Sequence, residues 1–117
     1  EEAWLCGYYS TDVDWVMQGD PLQLDATQLA AFSTAITHLA PADPARMCTA
    51  DLGPRYLVSY STGTDLTGVV IDDFGCRDIR LSDDPFSTVP GESTEPGIVP
   101  GVLTGPLGLL DQLPVAR

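Results

Sequence analysis

Between Arg55 and Phe74 the chain carries two alternating runs about a turn. Tyr56, Val58 and Tyr60 alternate with Leu57 and Ser59, Thr62-Gly63-Thr64-Asp65 supplies turn residues, and Leu66 to Phe74 returns. A period of two marks a strand, and a short glycine-bearing turn between two such runs marks an antiparallel hairpin. Cys48 precedes the outgoing strand, and Gly75 breaks the return strand just before Cys76. A hairpin brings its outer ends together, so Cys48–Cys76 is the disulfide that closes with least distortion. It would add roughly 3 kcal/mol through the unfolded state. Cys6, in the middle of another alternating run, is then a free, buried thiol. Pairing of Cys6 with either partner stays open, as do three reduced cysteines in a cytosolic protein.

The rest of the chain supplies elements to pack on that ribbon. Ala3 to Ser10 reads as a strand with Trp4, Cys6 and Tyr8 on one face and Leu5, Gly7 and Tyr9 on the other. Thr11 to Pro21 reads as a loop in which Trp15-Val16-Met17 forms at most a short strand. Asp25 with Gln28 three residues on is a capping box, and Leu29, Phe32, Ile36 and Leu39 follow at helical spacing, with Pro41 and Pro44 as the stop. Arg77 to Leu81 suits a further strand, with Ile79 and Leu81 on one face. Asp83 to Gly105 carries three Pro-Gly steps and reads as an extended wrapping segment; Pro106 to Leu113 reads as a short helix. The expected fold is α+β: a small antiparallel sheet of strand, hairpin and a possible fourth strand, packed by one main amphipathic helix. Residues 1–84 form the core, and 85–117 form a Pro/Gly-rich tail of the same domain. At 117 residues one domain with a real core is the natural size.

Charge narrows the chemistry. Seventeen acids face five arginines, there is no lysine, and the net charge is −12. Such a field repels phosphate backbones and anionic bilayers, so nucleic acid is excluded as a partner. No apolar run is long enough to cross a bilayer, so any membrane attachment must run through a segment outside the chain. The start at Glu1-Glu2, without methionine, reads as a processed or truncated piece. Without lysine there is no Schiff base and no P-loop lysine. His38 is the single histidine, so any triad must use it; it reads as a solvated residue near a helix C-terminus. The acid pairs Asp12/Asp14, Asp72/Asp73 and Asp83/Asp84 do not follow a calcium-loop spacing, and neighbouring acids in a strand point to opposite faces. No catalytic, cofactor or metal residue is assigned, and no cofactor is expected. Asp51 to Tyr56 reads as a turn entering a strand. Trp4, Tyr8, Tyr9 and Trp15 read as sheet-covering aromatics, with a partner-binding patch as the functional alternative.

Trp4-Leu5-Cys6-Gly7-Tyr8, the Leu/Ala-rich helix, Cys48-Thr49-Ala50-Asp51-Leu52-Gly53-Pro54-Arg55-Tyr56-Leu57-Val58, Val69-Val70-Ile71-Asp72 and Gly75-Cys76 together resemble small exported domains of actinobacteria. Those are lipoproteins or outer domains of single-span membrane proteins, largely uncharacterised, and the resemblance spans about Trp4 to Arg80. It implies an extracytoplasmic compartment, secreted or cell-surface anchored, and no activity. Glu1-Glu2-Ala3-Trp4-Leu5 before Cys6 does not look like a lipidation box. The expected function is a non-catalytic extracytoplasmic module that binds or senses a protein or small ligand. The alternatives are a calcium-stabilised structural domain and a small hydrolase or redox protein using Cys6 or His38.

Overall fold

In the computed structural model, Arg55–Thr62 and Asp65–Asp72 pair antiparallel from Thr62↔Asp65 at the turn to Arg55↔Asp72 at the base. The two residues between them are Gly63-Thr64, and Gly63 takes φ +61°, where a Cβ would be strained. The structure describes residues 2–11, 15–43, 45–49, 53–83, 103–105 and 109–114. In chain order the elements are β1 (Glu2–Ser10), β2 (Trp15–Gln23), α1 (Ala26–Ile36), β3 (Ala40–Pro41), β4 (Arg55–Thr62), β5 (Asp65–Asp72), β6 (Ile79–Ser82), β7 (Leu103–Thr104) and a 3-10 helix, Leu109–Gln112. The strands form one antiparallel sheet in the order β2-β1-β4-β5-β6-β7-β3. No described helix is long and apolar enough to cross a membrane.

The α+β reading holds in outline, but the sheet is larger than expected: seven strands among the described residues. The segment expected as a loop, Thr11 to Pro21, instead feeds β2, a nine-residue edge strand. Its apolar alternation is weak because Gln18 to Pro21 interrupts it. Leu5 pairs with Leu22 and Gly7 with Gln18, so Gly19-Asp20-Pro21 bulges out opposite Cys6. Gly19 sits at φ +73°, a conformation that suits glycine in such a bulge. Part of the tail also joins the sheet, as Leu103 pairs with Ile79 and with Pro41. Pro41 therefore lies in a strand; α1 has already ended at Ile36 with Thr37 as its cap. β5 stops at Asp72 rather than Phe74. The terminal helix is a 3-10 turn over Leu109–Gln112, and Pro106 and most of the Pro-Gly segment lie outside the described residues.

At the start of α1 both halves of the capping box are formed. The Gln28 N–H donates to Asp25 Oδ1 at 2.8 Å, and the Asp25 N–H donates to Gln28 Oε1 at 2.9 Å. Phe32 and Ala35 are buried, with Leu29 and Ile36 packed beside them against Ala3, Leu5, Val58, Val69 and Ile71. Leu109, Leu110 and Leu113 close the same core. These contacts put the main apolar core on one face of the sheet, under the helix.

Candidate functional site

The face of the sheet away from α1 holds the chemistry. Cys6, Tyr8, Leu57 and Val70 form a second, smaller buried cluster there, with Trp15 against it. Register places Arg55 opposite Tyr8 on one side and Asp72 on the other, and Arg80 opposite Val70. Arg55, Asp72 and Arg80 consequently share this face with Leu57 and Val70. Arg55 Nε donates to Asp72 Oδ1 at 2.6 Å and Nη2 lies 3.5 Å from Oδ2; Arg80 Nη2 donates to Oδ1 at 3.3 Å. All three are at least 94% buried as side chains. The Arg55 guanidinium lies over the Trp15 ring, 4.2 Å from its centroid, and 5.9 Å from Phe74. Trp15 and Phe74 stack at 5.8 Å.

This arrangement braces the sheet. Its carboxylate accepts from two guanidiniums, neither of which gives up a proton in a protein. The position of the Arg55 guanidinium over Trp15 adds a cation–π contact worth about 1–2 kcal/mol when desolvated. Among the described residues, two buried polar atoms on this face have no hydrogen-bond partner: Arg80 Nε and Ser59 Oγ. Arg55 and Arg80 were not singled out as charged partners from the sequence, and Asp72 was read only as half of an acid pair. A signal existed, since Arg55 and Asp72 stand equally far from the turn pair Thr62↔Asp65 and must face each other in register.

Apart from the disulfide, the singled-out residues that the structure describes do not gather at one place. Cys48 and Cys76 pair as a disulfide with Cα atoms 4.8 Å apart, leaving Cys6 as the free thiol, buried in β1. Burial pushes the Cys6 thiol above its ordinary pKa and also raises Tyr8, with the Cys6 charge adding to the Tyr8 shift. A thiol held in its protonated form is a poor nucleophile. His38 is exposed beyond α1, within 3.1 Å of the Thr34 carbonyl. The sheet therefore separates it from Cys6. Asp72 faces the arginine pair, while Asp73 lies beyond the end of β5, 3.8 Å from Arg77, so the strand alternation expected for the two acids does not apply. Arg46 pairs with Asp78. Asp12, Asp14, Asp51 and Asp84 lie outside the described residues. Among the described residues no three His, Cys, Asp or Glu side chains gather as a metal site.

The aromatic quartet splits by depth. Tyr8 is buried and Trp15 half-buried, while Trp4 and Tyr9 are exposed. The described exposed large apolar side chains are Trp4, Tyr9, Val16, Met17, Leu22 and Met47, and all but Met47 lie on β1 and β2. Compared with protein-family models, with curated proteins and with solved structures, the chain matches none of them.

Proposed function

We propose that this chain is a non-catalytic, extracytoplasmic binding module of a secreted or membrane-anchored protein of the actinobacterial type. The observation that carries the reading is the Cys48–Cys76 disulfide across the base of the hairpin. A stapled ribbon of this kind suits an oxidising compartment. Two further observations agree with it. The buried charges on the far face are engaged with one another, and the exposed apolar side chains collect at one edge of the sheet. Scaffold and surface, rather than a reactive pocket, are what such a layout provides.

The test is a thiol count with fractionation. The protein is taken from its native cells, denatured without reductant and titrated with a thiol reagent. One reactive thiol, Cys6, in an extracytoplasmic fraction is the expected result. Three thiols in a cytoplasmic fraction would overturn the proposal.

A further inference from the structure

The open edge of the sheet is the surface that combines backbone, apolar and electrostatic features. Among the described residues β2 pairs with β1 on one side and ends the sheet on the other, and from Val16 to Gln23 every residue is exposed. An edge strand presents a row of backbone N–H and C=O groups that another strand can continue. Val16 and Met17 lie on opposite faces of β2, each 39–44% exposed, with Tyr9 beside Val16. The bulge at Gly19-Asp20-Pro21 interrupts the edge, so its regular stretch runs from Trp15 to Gln18 and stops at an acid.

Charge decides between occupants. No lysine or arginine precedes Arg46, while Glu2, Asp20 and Asp25 are exposed on or beside the two edge strands. Arg55 and Arg80 are buried on other strands, and Arg46 and Arg77 lie beside Asp78 and Asp73. A second copy, itself carrying a net charge of −12, would set the same acids against Glu2, Asp20 and Asp25, and like charges across an interface oppose pairing. A cationic strand meets none of that repulsion.

We infer that the β2 edge docks an extended, cationic segment of a partner protein, which adds as a strand beside Val16–Gln18 and sets a Lys or Arg against Asp20. This deepens the binding-module reading and rests on it. Main-chain bonds supply affinity in such strand addition, and alternate side chains supply specificity. Here the partner's apolar side chains would cover Val16 and Met17.

The probe is a short synthetic peptide alternating Lys and Val, titrated into the isotope-labelled protein and followed by backbone amide shifts. Saturable shifts centred on Val16, Met17, Gln18 and Tyr9, with a Kd below ~1 mM, are expected. Val16→Lys with Met17→Lys weakens binding at least about tenfold, by removing apolar contact and adding like charge. Asp20→Asn alters one exposed charge and weakens it about threefold, a rim effect that also fades with salt. Absence of saturable shifts overturns the inference. So do shifts centred on α1 or β6, or equal shifts from a Glu-Val peptide or from a Lys-Pro peptide unable to pair as a strand. Concentration-dependent shifts at β2 without peptide would assign the edge to a second copy and overturn it too. If the peptide fails while the thiol count and fractionation come out as above, only the β2 assignment falls.

Discussion

The two faces of one sheet solve burial in different ways. Under α1, Ala3, Leu5, Val58, Val69 and Ile71 meet Phe32 and Ala35, and the packing is almost wholly apolar. On the far face Leu57 and Val70 adjoin Arg55, Asp72 and Arg80, charges held by one another and by a stacked aromatic. Apolar packing tolerates exchange of shape at constant volume, whereas a buried ion cluster has one good geometry and penalises its partial loss. The contrast assigns bulk stability to the helix face. To the far face it assigns register, because a slip of one residue would send Arg55 and Asp72 into the apolar core.

The largest expected effect breaks the far face. Asp72→Ala removes the carboxylate shared by two buried guanidiniums and should cost about 3–5 kcal/mol in urea denaturation. Replacing Arg55, Asp72 and Arg80 together by Met, Leu and Met should recover most of that loss, since well-packed apolar side chains often match a buried ion pair. If the triple variant is as unstable as Asp72→Ala, the cluster contributes more than mutual neutralisation and the comparison of faces must be redrawn. On the helix face, Asp25→Ala opens the capping box and should cost about 1 kcal/mol by the same assay. Its effect should be independent of the Asp72 change, because the sites lie on opposite sides of the sheet.

The smallest effect is a slope against pH. Burial raises Cys6 and Tyr8 above their ordinary values, so the unfolded chain ionises them first. Stability from keeping them protonated is therefore full below the ordinary thiol pKa. It is lost as pH climbs through that value toward the raised folded one. Melting temperature should fall more steeply above about pH 9 in the native protein than in Cys6→Ala. Equal slopes would show that Cys6 ionises in the folded protein as readily as in the unfolded chain.

Much of this was readable in the residues. Alternation placed β1 and β4, and the Asp25/Gln28 box with Leu29, Phe32 and Ile36 placed α1, because period and cap chemistry are local properties. The hairpin made Cys48–Cys76 the pair that closes with least distortion, and the structure chose it over the Cys6 pairings that the sequence left open. Of β2 only Trp15-Val16-Met17 was legible as a short strand, because the bulge beyond Gln18 breaks the period of two. β3 and β7 escaped because two-residue strands exist only as partners and have no periodicity of their own. Arg55–Asp72 could have been read from the turn register; Arg80 could not, since its place beside Val70 depends on where β6 docks.

The amino-acid sequence by itself determined the hairpin, the capped helix and the net charge of −12, each through chemistry acting over a few residues or over total charge. Only the tertiary structure decided which arginines are buried and where the sheet ends. It also decided that the described exposed apolar side chains, Met47 apart, gather along one edge. These outcomes depend on strands distant in the chain becoming neighbours, and that neighbourhood is set by the packing of the whole sheet.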